Sequence, residues 1–423
     1  MKFRPDAAFA AELDRHDPLA AQRAQFHVPR HGEGEEIYLC GNSLGLQPKK
    51  TAQYVQEELE DWQRLAVKAH FDGRRPWMPY HEFFTARTAR LVGAQPGEVV
   101  NMNSLTVNLH LMLTSFYRPT RERFKIVIER GAFPSDRYAV ASQLHLHGLD
   151  PEQALIELTS TGDGDCLATE DIEALLEAEG QRIALVLLPG VQYYSGQVFD
   201  MARLTRAAHA QGCIAGFDLA HATGNLPLQL HDWGMDFAVW CNYKYMNSGP
   251  GAVAGCFVHG RHAHEFTRPR LAGWWGHDKA SRFRMGPEFQ PLPGAEGWQL
   301  SNPPILGLAP LLASLEIFDT VGMAALREKS LQLTGYLEFL LRQRLPEQLE
   351  IITPRDPTQR GCQLSLRLHA ERNRARAVYE TLEQRGVTCD WREPDVIRVA
   401  PVPLYNRYAD VHGFVGILAE LLG

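Results

Sequence analysis

The chain has 423 residues, 45% of them hydrophobic, and its 43 Lys and Arg against 50 Asp and Glu give a net charge of -7. That length allows two or three domains around a large core, and the scattered basic residues offer no stripe for a nucleic-acid backbone. Lys2, Arg4, Asp6, Glu12, Asp14, Arg15 and Asp17 break up residues 1–30, which build no apolar stretch of the kind a signal peptide needs, and the longest apolar run, Ile183 to Pro189, is too short to span a bilayer.

Seven cysteines, Cys40, Cys166, Cys213, Cys241, Cys256, Cys362 and Cys389, include no C-x-x-C pair. An odd set without that pairing argues against a disulfide framework or a zinc site and suits a reducing compartment. The expectation is a soluble, cytoplasmic protein without nucleic-acid or membrane partners.

Residues 1 to about 35 read as an arm with one short helical stretch, and Tyr38 to Pro48 as a strand entering the turn Gly41-Asn-Ser-Leu-Gly45. A helix opens at Pro48 to Thr51; Val55, Leu59, Trp62 and Ala66 fall at helical spacing and predict one buried face. The loop His70-Phe-Asp-Gly-Arg-Arg-Pro-Trp77 leads to another helix ending near Gly93. Asn101 to His110 reads as a polar turn capping a helix, with Ser104 or Thr106 near the cap. The N–H groups of such a helix start suit a cofactor phosphate. Strand Phe124 to Glu129 ends at Arg130-Gly-Ala-Phe-Pro-Ser-Asp136, where Phe133 can stack on a planar ring.

An acidic helix from Asp165 to about Glu179, the strand Ile183 to Leu188, a helix from about Met201 to Gln211 and the run Ile214 to His221 continue the alternation. Such alternation predicts a mostly parallel sheet covered on both faces, with active-site residues at the strand C-termini. A strand from Phe237 to Trp240 follows, then Gly255 to His259, a long loop from Thr267 to Pro304, and a helical region from about Leu308 to Leu345. In the last part Leu364, Leu366 and Leu368 alternate as a strand, Glu371 to Arg385 is helical and stopped by Gly386, Val387 to Asp390 and Val396 to Ala400 are strands, and a helix from about Ala409 to Leu422 closes the chain. The division expected is an arm (1–45), a large domain (46–305) and a helical crossover with a small α+β domain (306–423).

Three residues at neighbouring strand ends carry the chemistry: Asp218, His221 and Lys244, the last followed by a Gly-Pro-Gly turn. A lysine amine is a weak nucleophile unless apolar or cationic neighbours lower its pKa, and Trp240, Tyr243, Tyr245 and Met246 supply apolar surroundings. Its common use in this setting is a Schiff base to pyridoxal 5'-phosphate (PLP), whose ring nitrogen needs a carboxylate partner such as Asp218. No strand is followed by G-x-G-x-x-G, which disfavours a nicotinamide-dependent dehydrogenase.

These segments resemble the kynureninase family, within the fold-type I, class V aminotransferase group of PLP enzymes. The likeness runs from Gly41-Asn-Ser-Leu-Gly45 through Phe133-Pro-Ser-Asp136, Gly216 to His221, Tyr243-Lys-Tyr245, Gly273-Trp-Trp-Gly-His277 and Ser301-Asn-Pro-Pro304 to Arg398-Val-Ala-Pro-Val-Pro403. It implies a three-layer α/β PLP-transferase fold and a homodimer with shared active sites. The implied reaction is hydrolysis of L-kynurenine or 3-hydroxy-L-kynurenine to L-alanine and anthranilate or 3-hydroxyanthranilate, in tryptophan degradation or NAD synthesis.

By the same resemblance Lys244 holds PLP and acts as base, Asp218 pairs with the ring nitrogen, and Leu105 and Thr106 take the phosphate. Phe133 stacks on the ring beside Pro134, Ser135, Asp136 and His221; Tyr243 reaches the phosphate and is the candidate for proton transfer; Trp274 and Asn302 complete the pocket, from the partner subunit. Arg398 grips the substrate carboxylate, with Ser43, His70 and Asn302 as further substrate residues. His70 and Asn302 could hydrogen-bond a ring hydroxyl, which predicts a preference for 3-hydroxykynurenine. Where many relatives place a serine or threonine, this chain has Pro189. The rival readings are a cysteine desulfurase or selenocysteine lyase using Cys362, and a PLP-fold regulator without catalysis.

Overall fold

Val127, Val186, Leu188 and Phe217 belong to one apolar core, and Ile126, Ile128, Leu185 and Leu187 to another. Strands that are apolar on both faces need a layer of helices on each side. A computed structural model describes residues 2–160 and 164–423 and contains that arrangement. The large sheet has seven strands, β1 (Val99–Asn101), β2 (Lys125–Glu129), β3 (Leu155–Leu158), β4 (Ile183–Pro189), β5 (Ile214–Asp218), β6 (Phe237–Trp240) and β7 (Gly255–Val258), in the order β1-β7-β6-β5-β4-β2-β3. The pairs from β6 through β5, β4 and β2 to β3 are parallel, and β7 alone runs against its neighbours β6 and β1.

Ahead of the sheet lie α1 (Ala7–Arg15), α2 (Thr51–Leu65) and α3 (Glu82–Val92), the last ended by Gly93 at φ 63°. Next come α4 (Leu105–Phe116) and α5 (Pro134–Leu146), whose Leu109, Met112, Val140 and Leu144 cover one face of the sheet. The other face is covered by α6 (Thr169–Glu179), α7 (Met201–Ala210) and α8 (Ile305–Val321), through Ile172, Leu204 and Leu311.

From α9 (Met323–Arg344) onward a second core forms on a four-stranded antiparallel sheet. Its strands β8 (Leu349–Ile351), β9 (Leu364–Leu368), β10 (Asp390–Arg392) and β11 (Val396–Val399) stand in the order β8-β9-β11-β10. Helices α10 (Arg372–Gln384) and α11 (Tyr408–Leu422) bury Leu382 and Phe414 on it, and α1 adds Phe9 and Leu13.

Several expectations are corrected. The face of α2 carrying Leu59 and Trp62 points outward, with Trp62 58% exposed, while Thr51, Glu58 and Asp61 are buried. The cause is local: Glu58 accepts hydrogen bonds from Arg75 Nε, Trp77 Nε1 and Tyr80 Oη at 2.7–2.9 Å, and Asp61 accepts from the Arg74 amide at 2.6 Å. Donors from the following loop thus make two carboxylates internal. The crossover is two helices meeting at 83°, because Gly322 takes φ 76° between α8 and α9. The run Val387 to Asp390 divides: Val387–Thr388 pairs in parallel with Ile37–Tyr38, and β10 belongs to the small sheet. Strands β1, β3 and β8, too short for a periodic pattern, were not anticipated from the sequence. Among the described residues no single helix is long and apolar enough to cross a membrane.

A Cβ at Gly216 in β5 would lie 2.2 Å from the Phe237 ring on β6, so backbone and ring meet there without room for a methyl group. Gly216→Ala is expected to destabilise the protein by about 1–3 kcal/mol, read as a lowered urea midpoint with unchanged slope.

Candidate active site

The pocket hangs from the carboxyl ends of parallel strands and the starts of two helices. Glu129 ends β2, Pro189 ends β4, Asp218 ends β5, and Lys244 lies just past the end of β6; Asp218 is paired with Pro189 on one side and Val239 on the other. Leu105 and Thr106 open α4, and Phe133 caps α5, with Ser135 and Asp136 in its first turn. All of these except Val239 line one cavity together with Val191, Tyr193, Ala220, His221 and Tyr243.

Lys244 Nζ lies 2.8 Å from His221 Nε2, and 6.0 Å from the centroids of the Phe133 and Tyr243 rings. Burial, followed by the charges of Lys244, Arg398 and Arg392, holds the imidazole well below its usual pKa. His221 is therefore neutral and Nε2 accepts from the lysine, leaving the proton on Nδ1, which is buried without a partner among the described residues. Asp218 Oδ1 accepts from the Ala220 amide at 2.7 Å. Burial raises the pKa of both Asp218 and Asp136, and the charge of Asp218 raises Asp136 further, so Asp136 keeps its proton; its Oδ1 is also unpartnered. Behind them Glu129 is pushed up to about 8 by burial, with Asp218 adding to the effect. The Tyr243 phenol is pushed upward by burial and by Cys241, so it is a proton donor and not a phenolate.

These groups fit PLP. Thr106 Oγ1 and Ser135 Oγ stand 2.8 Å apart at the starts of α4 and α5, where free amides and the helix dipoles favour a phosphate. Phe133, Lys244 and Asp218 line the same cavity, where they could offer a ring face, an amine and the carboxylate that a protonated ring nitrogen needs. Unpartnered polar atoms on Asp136 and His221 mark where a polar ring edge would be received. Pro189 lines the same wall and offers it an apolar ring with no hydroxyl.

Other expected site residues lie elsewhere in the protomer. Pro134 opens α5, where its fixed φ suits a helix start, and does not reach the cavity. Trp274 and Asn302 are exposed, and Trp274 Nε1 donates to the Arg282 carbonyl at 3.3 Å. His70 donates from Nδ1 to the Val67 carbonyl at 3.0 Å, and its ring stands edge-on to Trp77. Ser43 sits in a turn that docks on the lysine segment: the Gly45 amide donates to the Tyr243 carbonyl at 2.8 Å, and a Cβ at Gly45 would lie 2.3 Å from the Lys244 carbonyl. Arg398 is 1% exposed and already ion-paired with Asp390.

Sequence reasoning missed Glu129, Val191 and Tyr193. The signal for Glu129 was its place as an acid at the end of an apolar strand; nothing local distinguished the other two. Cys362 is buried, its thiol pushed up to about 11 by burial, and its amide donates to Asn225 Oδ1 at 2.9 Å. A thiol so held is not a mobile nucleophile.

Comparison with solved structures gives the fold: a C-DES lyase variant with glycine covalently linked to its PLP cofactor superposes with a TM-score of 0.79 at 17% identity, over 95% of this chain and 99% of that one. A cysteine desulfurase from Thermococcus onnurineus gives 0.74 at 16% identity, over 97% and 98%. Fold and cavity together define a PLP-dependent enzyme of fold type I. Residues 326–418 match the kynureninase C-terminal domain. The chain is 58% identical to a kynureninase of Koribacter versatilis over 408 residues, 96% of each chain, and 59% identical to one of Myxococcus xanthus over 418 residues, 98% of this chain and 97% of the other. This chain belongs to the kynureninase family, hydrolases that cleave a carbon–carbon bond. The desulfurase likeness is one of fold only.

Glu129 gives the site a pH signature. With a folded pKa of about 8 against the ordinary glutamate value of 4.5, it holds a proton between those values that the unfolded chain has lost, so stability falls as pH rises through that window. Glu129→Gln is expected to flatten the profile by up to about 1.4 kcal/mol per pH unit, measured by urea unfolding of cofactor-free protein from about pH 5 to 9.

Proposed function

We propose that this enzyme hydrolyses the Cβ–Cγ bond of 3-hydroxy-L-kynurenine, and less efficiently of L-kynurenine, releasing L-alanine and the aryl acid in tryptophan catabolism. The observation that carries the site reading is the cavity in which Lys244, His221, Asp218 and Phe133 meet the paired hydroxyls of Thr106 and Ser135.

Lys244 would hold the cofactor, Asp218 its ring nitrogen, Phe133 its face, and Thr106, Ser135 and the amides at Leu105 and Thr106 its phosphate. Bound PLP supplies an electron sink conjugated with the substrate nitrogen. With the substrate amine in its place, Lys244 Nζ would be the base that takes the α-proton, and neutral His221, 2.8 Å away, would keep that amine oriented. Water adds to the γ-carbonyl and the Cβ–Cγ bond breaks as the aryl acid leaves. Tyr243, protonated at neutral pH, would give its phenol proton to the Cβ left by the aryl acid and recover one from a hydroxyl of the hydrated carbonyl.

His70, Asn302, Trp274 and Ser43 do not line the Lys244 cavity of their own protomer. A homodimer explains their place: a two-fold contact would bring Trp274 and Asn302 to the partner's lysine. The exposed apolar residues Leu59, Trp62, Val67 and Phe71, beside a cleft lined by Trp62, Trp77 and Pro304, support that interface. His70 Nδ1 is engaged by Val67, which leaves Nε2 for the substrate's ring hydroxyl. Seven free cysteines favour a cytoplasmic location.

Lys244→Ala is expected to abolish the visible absorbance of lysine-bound PLP and to lower turnover by about 10³-fold or more. Purified wild type should favour 3-hydroxykynurenine by about tenfold or more in kcat/KM, and His70→Ala should erase that ratio; equal efficiency on both substrates would defeat the specificity assignment. Sedimentation should give a dimer, and Trp62→Glu should shift it toward monomer with loss of activity in parallel.

A further inference from the structure

Arg398 does not stand alone. It lies on β11 directly across from Asp390 on β10, in a register that sets the two side chains together. Arg398 Nε donates to Asp390 Oδ1 at 3.2 Å, Nη2 lies 2.7 Å from Oδ2, and Nη1 donates to the Tyr193 carbonyl at 2.6 Å. Three of the five guanidinium N–H groups are engaged by these contacts, so one remains on each terminal nitrogen. Two parallel donors on one planar edge are what a carboxylate takes as a fork.

Asp390 is shared. Arg392, two residues along β10, places Nε 2.8 Å from Oδ1 and donates from Nη2 to Oδ2 at 3.1 Å. Both guanidinium groups lie about 6 Å from the ring of Tyr193, at 5.9 and 6.0 Å, and that ring stands edge-on to Phe133 at 5.3 Å. Tyr193 lines the Lys244 cavity, and the cluster stands behind that residue, against its ring and its carbonyl. One carboxylate against two guanidinium groups leaves one positive charge. The Arg398 side chain is 1% exposed, so that charge is little screened by water.

We propose that Asp390 and Arg392 are positioning residues for substrate binding: Asp390 fixes the plane of Arg398, and Arg392, by drawing on the same carboxylate, keeps the cluster at one net positive charge for the substrate's α-carboxylate. This rests on the reading of Arg398 as the residue that grips that carboxylate. Neither residue touches the reacting atoms; their effect is to hold the guanidinium fork ready before substrate arrives.

The two substitutions separate position from charge. Asp390→Asn raises the cluster to two positive charges while weakening the hold on Arg398, so an electrostatic role alone predicts tighter binding of substrate and a positioning role predicts weaker binding. Arg392→Met leaves Arg398 in place and lets Asp390 neutralise it. Steady-state kinetics on holoenzyme are expected to show KM for the amino-acid substrate raised by about tenfold to a hundredfold in D390N and severalfold in R392M, with kcat within about threefold of wild type.

The decarboxylated amine analogue of the substrate serves as control. Its dissociation constant, from spectral titration, should not change in either variant. An unchanged or lowered KM in D390N, or an equal loss of affinity for the amine analogue, would overturn the proposal. Arg398→Lys runs beside them: if it leaves KM unchanged, the assignment of Arg398 itself fails and the proposal with it, whereas a raised KM in R398K without one in D390N keeps the assignment of Arg398 and overturns the positioning proposal alone. If D390N does not fold because two buried cations are left facing each other, the double variant D390N/R392M, with the wild-type net charge, takes its place and should still show the raised KM.

Discussion

A lysine amine and three carboxyls share one buried pocket at the carboxyl end of a parallel sheet, and the rest of the molecule accommodates that fact. Burial penalises each charge, so the groups divide the protons among themselves: His221 is neutral against Lys244, Asp136 and Glu129 hold protons, and Asp218 is the carboxyl best placed to be ionised opposite a cationic ring. Helix starts supply the complementary positive end for a phosphate. The sheet supplies rigidity, because neighbouring strands held in register place Pro189, Asp218 and Val239 side by side.

The chain's two ends are fastened to this pocket. The turn Gly41 to Gly45 lies against the lysine segment so closely that only a residue without a side chain fits at Gly45. Asn42 donates to Gln363 Oε1 at 2.9 Å, and Gln363 in turn donates to the Tyr193 carbonyl at 3.0 Å, so the N-terminal turn, the small sheet and the large domain share one buried hydrogen-bonded chain. Arg398 reaches Tyr193 from the small sheet by the same route. A substrate held by Arg398 and reacting at Lys244, as proposed, would span the junction of two cores, and the hydrogen bonds across that junction would fix the distance between anchor and chemistry.

The order of helices and strands from α4 to β7 was legible because buried parallel strands are uniformly apolar and their connecting helices are not. The positions of the motif residues were legible too, since Asp218 ends such a strand and His221 and Lys244 each lie a few residues past one. Short edge strands were not: β1 and β3 have three and four residues, too few for a period to show. The outward face of α2 was hidden for a different reason, because Glu58 and Asp61 become internal only when Arg74, Arg75, Trp77 and Tyr80 bring donors to them.

By itself the sequence determined the layered α/β architecture, the placement of Asp218 and Lys244 at the ends of neighbouring strands, and the starts of the helices at Leu105 and Pro134, because strand apolarity, turn chemistry and capping act over a few neighbouring residues. Only the tertiary structure decided which groups keep their protons, that Arg398 is met by Asp390 and Arg392 across a strand pair, and that Trp62 faces outward while Glu58 is buried. Those outcomes depend on desolvation and on partners far away in the chain, and both are properties of the packed molecule.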